Sequence, residues 1–303
     1  MRTKLTASCV GSLLAPILIT RAPRQIGEVT HVFPNSFYAR VSNGELLFVT
    51  NRSLKSPVTI NVESEAVFER LVKPREQIRV DGTEISVGTD ISILLDGAAS
   101  FASRVKWSNA PDLNSDRIGA VLREIAMILR IVDVEGSVLD ARSLSHRAAA
   151  EFALKAPTSL RDSNLSRFKG AAVSLAGVGS GFTPSGDDML GGFLCAYNSL
   201  AETCGREKAV LGFEFLESKT TWTSAKLLDY MQRLVLDEQM IRIARFTEPD
   251  ELVMAFESIL SRGHTSGIDI AAGVVLGFGT MVDISSNGNG TETLSEILGF
   301  STK

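Results

Sequence analysis

The chain has 303 residues, of which 44% are hydrophobic and 22% charged, and a formal net charge of -4. That length and apolar content suit two domains, or one large one, with a sizeable core. The mildly acidic balance, with Arg and Lys scattered, supplies no basic field for a nucleic acid partner.

The first segment, MRTKLTASCVGSLLAPILIT, carries Arg2 and Lys4, but Ser12 and Pro16 break its apolar stretch, so no export signal is expected. Up to about Gly97 the pattern is that of strands. GEVTHVF (27–33), SFYARVS (36–42) and ELLFVTN (45–51) are short and rich in β-branched and aromatic residues. Ser42-Asn43-Gly44 is a hairpin signal between the second and third. QIRVDGTEISVG (77–88) repeats the theme around Asp81-Gly82, and ESEAVFERLV (63–72) predicts a short helix.

From Ser115 the period changes. Ile118, Leu122, Ile125, Ile128 and Leu129 fall on one helical face. Further helices are predicted near 145–155, 186–204, 224–235, 249–262 and 267–280, with SSNGNGTET (285–293) as a loop before a short last helix. The apolar run Ile270–Val282 is too short to span a bilayer and reads as a buried helix, so no membrane association is expected. The fold class expected is α+β, with a mainly β region over 1–105 and a mainly α region over 106–303. Cys9, Cys195 and Cys204 lack metal-ligand spacing and are too few for a disulfide framework, which predicts a reduced, cytoplasmic chain.

Chemistry concentrates in GVGSGFTPSGDD (177–188). Gly177, Gly179 and Gly181 permit positive φ, and successive N–H groups in such a turn form an anion-binding concavity. Thr183, Pro184, Ser185 and Gly186 then lead into a helix whose N-terminus favours an anion. Asp187 and Asp188 oppose one, unless a divalent metal such as Mg²⁺ or a ligand NH₂ group intervenes; no cofactor is required. The plainer reading of Ser185 and Asp188 is a capping box.

A second segment repeats the pattern. Ser185-Gly186-x-Asp188-x-x-x-Gly192 and Ser266-Gly267-x-Asp269-x-x-x-Gly273 match at every offset. Both read as buried helices whose glycines permit close packing, which would bring Asp187, Asp188 and Asp269 to one pocket. His264, next to Thr265, is a candidate acid/base at a helix start, with a structural role the plainer reading. A third segment, KTTWTSAKLL (219–228), crowds Thr220, Thr221, Thr223 and Ser224 at the start of a helix, more hydroxyls than one cap needs. Lys219 or Lys226 would supply a cation.

Three motifs together, GVGSGFTPSGDD, TTWTS (220–224) and GHTSGID (263–269), resemble the AllH-type subunit family of oxamate carbamoyltransferase, which acts in allantoin degradation. The resemblance implies transfer between carbamoyl phosphate and oxamate, giving oxalurate and phosphate, or the reverse, in a complex with other subunits. It implies an anionic ligand at Gly177, Gly179, Gly181, Thr183, Ser185 and Gly186, with Thr221, Ser224, Thr265, Ser266 and Gly267 beside it. Asp187, Asp188 and Asp269 would receive N–H groups or a metal, with His264, Asp188 and Asp269 as the catalytic candidates. The Ser-Thr-Arg-Thr motif of ordinary transcarbamoylases is absent, so their fold is not expected. The alternatives are a non-catalytic anion-binding or scaffold subunit, and a Mg²⁺-dependent phosphoryl-transfer enzyme.

Overall fold

A computed structural model describes residues 2–18, 22–103, 116–263, 265–286, 288 and 290–300. They fall into two compact units, Met1–Arg104 with Leu236–Glu238, and Val105–Val235 with Gln239–Lys303. The architecture is α+β, with a strand-rich front portion and a mostly helical remainder.

The first unit is a closed barrel. Its strands are β1 (Thr3–Gly11), β2 (Arg24–Phe33), β3 (Ser36–Val41), β4 (Leu46–Thr50), β5 (Thr59–Val62), β6 (Gln77–Asp81), β7 (Glu84–Val87), β8 (Ile91–Leu94) and β9 (Ala99–Phe101). They run in the order β5-β4-β3-β2-β6-β7-β8-β1-β9, and pairing of β5 with β1 closes the circuit. Closure leaves few free edges. β1, weighed in the sequence only as a possible export segment, is central: Leu5 and Ala7 point into the core between exposed neighbours, and beyond a bulge between Ala7 and Cys9 the half-buried Val10 packs against it. The expected hairpin turns are present, with Gly44 and Gly82 at φ +77° and +57°. The short helix expected over 63–72 is only a 3₁₀ turn at Phe68–Arg70. Phe68 is drawn into the core against Phe37, ring centroids 5.4 Å apart, so one apolar anchor rather than a helical stripe fixes this segment. A short helix α1 (Ala15–Leu18) buries Ile17 and Leu18.

The second unit contains α2 (Asp116–Ile131), α3 (Leu144–Arg161), α4 (Leu165–Leu175), α5 (Ser185–Ala201), α6 (Phe213–Glu217), α7 (Trp222–Gln232), α8 (Glu238–Ala244), α9 (Pro249–Leu260), α10 (Ser266–Ser286) and α11 (Gly290–Ile297). α2 buries Ile118, Leu122, Ile125 and Leu129, as the periodicity predicts, while Ile128 of the expected face is only half-buried. α3 runs past the expected end at 155, through Pro157 to Arg161. A proline removes one helical hydrogen bond, and burial of Ala156, Pro157 and Leu160 offsets that loss. α4 escaped the sequence reading altogether.

An aromatic ladder joins α3, α4 and α5. Phe193 meets Phe152 edge-on at 5.0 Å and stacks on Phe168 at 5.9 Å and Tyr197 at 6.4 Å. α5 and α10 form the centre, and no other pair of elements touches as extensively. α10 is longer than the apolar run implied, at 21 residues; among the described residues it alone is long and apolar enough to cross a membrane, and 89% of that apolar window is buried inside the protein.

Candidate functional site

The turn between α4 and α5 holds Gly177, Gly179 and Gly181 at φ +77°, +117° and +107°, conformations that other residues rarely adopt. Donor groups and acids coexist here because one acid is the turn's own anion. Asp187 Oδ1 accepts the Gly177 N–H at 2.7 Å, and Oδ2 accepts the Ser224 hydroxyl at 2.7 Å and the Thr220 hydroxyl. Asp187 is 2% exposed, and it pins the glycine turn and the start of α7 to α5. Burial pushes its carboxyl up, against the opposing effects of Thr220, Gly177 and Ser224. Gly177 itself fits beneath the Lys219 carbonyl, where a Cβ would come within 2.0 Å of the oxygen.

These bonds occupy most of the hydroxyl cluster expected to face a ligand. Thr220 and Ser224 serve Asp187, Thr221 caps α7 by accepting the Ser224 N–H at 3.2 Å, and Thr223 is buried. Lys226 lies over the Phe213 ring at 4.9 Å. An Asp187→Ala variant strips acceptors from three donors, so it should lose roughly 3 kcal/mol of stability, checked by its denaturant midpoint.

The two Ser-Gly-x-Asp segments meet, and they do so reciprocally. A Cβ on Gly192 would lie 2.2 Å from the Ile270 carbonyl oxygen, and one on Gly273 would lie 2.0 Å from that of Met189. In each case the glycine is seven residues beyond its serine and the carbonyl four beyond the other serine. The glycines after the serines match too. Gly186 abuts the Leu175 carbonyl and donates to Val178 at 2.8 Å, while Gly267 abuts the Ile259 carbonyl and donates to Arg262 at 3.1 Å. A local two-fold relation thus links the start of α5, fed by α4, with the start of α10, fed by α9.

Two carboxyls stand at this junction. Asp188, half-buried, accepts the Thr183 hydroxyl at 2.9 Å; that hydroxyl also lies 3.5 Å from the Ser266 hydroxyl, which stands beside Asp188. Burial raises Asp188 to about 7, against the Ser266 and Thr183 hydroxyls, with Asp269 and Asp187 adding repulsion. Asp269 is fully buried and accepts the Val138 N–H at 2.7 Å through Oδ1. Its Oδ2 has no hydrogen-bond partner. Burial raises it to about 7 as well, opposed by Val138 and by the Ser185 and Thr265 hydroxyls, which stand near without completing a bond to Oδ2.

The capping box does not form. Pro184 occupies the N-cap of α5, no side chain caps the helix, and Ser185 donates instead to the Gly136 carbonyl at 3.3 Å. That contact reveals an element the sequence reading passed over, the turn joining α2 to α3. Gly136 sits at φ +79°. Asp140 accepts the Gly136 N–H at 3.2 Å, and the Arg142 backbone N–H and Nε at 3.0 Å each; the Arg142 bonds chiefly hold its carboxyl well below the usual range. The turn thereby places Val138 on Asp269 and Gly136 on Ser185. Its sequence signal is Gly136 followed by Asp140-x-Arg142, ordinary turn chemistry.

His264 lies outside the described residues. Thr265 and Ser266 are half-buried, and Gly179, Ser180 and Gly181 are exposed, so the junction opens to solvent between the glycine turn and the start of α10. Among the described residues no three His, Cys, Asp or Glu side chains group as a metal would require, and both oxygens of Asp187 are already taken. The arrangement offers two helix N-termini and exposed backbone donors for an anion, beside two carboxyls whose proton affinity is near neutrality.

No solved structure matches the chain. A family model described as oxamate carbamoyltransferase subunit AllH matches residues 175–278, a span that begins at the end of α4 and takes in both helix starts. Across those residues the chain is similar to the AllH family, the family that its three motifs resemble.

Proposed function

We propose that this chain is a subunit of an oxamate carbamoyltransferase-like enzyme and binds a small anionic carbamoyl or carboxylate ligand where the first turns of α5 and α10 meet. The observation that carries the reading is the approach of Thr183 and Asp188 to Ser266, which joins the two motifs in one polar junction inside the family-matched span. The anionic end of the ligand lies against the exposed Gly179–Gly181 turn and the helix N-termini.

Asp188 then handles the proton. When carbamoyl phosphate meets oxamate, a bond forms between the amide nitrogen and the carbamoyl carbon, the carbon–oxygen bond to phosphate breaks, and the nitrogen gives up one proton. A half-buried carboxyl with a pKa near 7 accepts that proton and returns it in the reverse direction.

The test is phosphate release from carbamoyl phosphate and oxamate by the full chain with its partner subunits. Asp188→Asn should lower turnover by at least ~100-fold while the assembled complex persists. Full turnover by that variant would remove Asp188 from proton transfer and favour a scaffold role for the chain.

A further inference from the structure

The local two-fold relation at the junction is broken at one atom. By symmetry the two carboxyls should have like surroundings, since each has the serine of the other motif beside it, Ser266 at Asp188 and Ser185 at Asp269. Asp188 Oδ2 takes the Thr183 hydroxyl at 2.9 Å, yet among the described residues Asp269 Oδ2 takes nothing, although Asp269 is 0% exposed. Unpaired buried carboxylate oxygens are rare because each one forfeits its hydration. The other acid of the cluster, Asp187, is saturated by Gly177, Thr220 and Ser224.

The missing partner is a hydrogen-bond donor. Among the described residues no Lys or Arg acts on the Asp269 carboxyl. The Val138 N–H holds Oδ1 at 2.7 Å, which leaves Oδ2 as the uncommitted oxygen of the carboxyl. Beside it stand Ser185, which donates to the Gly136 carbonyl, and the half-buried Thr265.

Resting on the small-anion site proposed above, we infer that Asp269 Oδ2 accepts an N–H of an amide- or carbamoyl-bearing ligand, which displaces the Thr265 hydroxyl to reach it, and that this oxygen sets the preference for an amide over a carboxylate of the same shape. A carboxylate analogue would set oxygen against oxygen there, whereas an amide completes the bond.

Isosteric pairs test the assignment by titration calorimetry at pH 8 on the full chain: oxamate with oxalate, malonamate with malonate, and carbamoyl phosphate with acetyl phosphate. The wild type should bind the amide member of a pair at least 10-fold more tightly, a measurement that needs no variant. In Asp269→Asn the Val138 N–H still demands an acceptor, so the side-chain oxygen stays at the Oδ1 position and the NH₂ takes the place of Oδ2. That variant should lose or invert the preference. An unchanged ratio in Asp269→Asn, or failure of the wild type to bind any of the three amides, would overturn the inference. Amide-selective binding without phosphate release in the presence of partner subunits would sink the transferase reading alone and leave this one standing.

Discussion

Gly273→Ala should melt about 6–12 °C below the parent protein, the largest stability loss expected from adding one methyl group anywhere on α10. The added Cβ would lie 2.0 Å from the Met189 carbonyl oxygen and 2.8 Å from the Phe193 nitrogen. Both obstacles are backbone, so no rotamer change relieves the clash and the two helices must separate. Overpacking of this kind costs about 3 kcal/mol, and in a unit of this size each kcal/mol moves Tm by roughly 2–4 °C. Gly192→Ala meets the Ile270 carbonyl oxygen at 2.2 Å and should behave alike. The double variant should lose less than the sum, because one separation of α5 from α10 relieves both contacts. Gly170→Ala is the control. It lies within α4 with open space around its Cβ position, and it should gain about 0.5–1 kcal/mol from helix propensity. Calorimetric or circular-dichroism melts read all four variants, and equal melting of Gly170→Ala and Gly273→Ala would contradict the close packing of α5 on α10.

Asp269→Asn should be more stable than the wild type at pH 8 and lose that advantage by pH 5. The folded-state carboxyl titrates at about 7, above its ordinary value of 3.8. Between those values the folded chain holds a proton that the unfolded chain has released, so stability is full below about pH 4 and declines as pH rises through 7. A shift of this size corresponds to about 4 kcal/mol for one fully buried group. Asp188, raised to about 7, and Asp187, also raised, act in the same direction. Glu151, Glu202 and Glu251 are shifted down, and their contribution is lost only at lower pH, as it falls through their depressed values. Within pH 5 to 8 His31, shifted down by burial, acts in the opposite direction, so the difference between the wild-type and Asp269→Asn profiles is what isolates Asp269. The fall toward pH 8 should be shallower in Asp269→Asn than in the wild type, with Asp188 and Asp187 still contributing. Parallel profiles would mean that the Asp269 carboxyl is not raised in the folded protein.

Particular residues show how far the sequence was legible. Period alone located α2 and the strands around Gly44 and Gly82, because half-buried elements print their exposure on the chain as alternating polarity. It missed α4, and it ended α3 near Lys155, short of the buried Pro157 and Leu160, where burial overrides local propensity. β5 is buried along its whole length and so carries no alternation. At the junction, the repeated Ser-Gly-x-Asp spacing identified the two helix starts before any coordinate. Their individual roles were not legible. Thr220, Ser224 and Asp187 look like ligand groups in one dimension, yet in space they satisfy one another. The α2–α3 turn that orients Asp269 is 131 residues away in the chain at its contact through Val138.

What the sequence by itself determined is the chemical inventory and its periodicity: a strand-rich front, a helical remainder, and two matched helix starts with glycines spaced for close approach. Those properties are local, set by side-chain volume, backbone freedom and the repeat of each element. Only the tertiary structure decided which acid is spent inside the protein and which is left with an open oxygen. That distinction depends on where distant donors finally lie, since a carboxylate becomes a binding group only when folding buries it without pairing it.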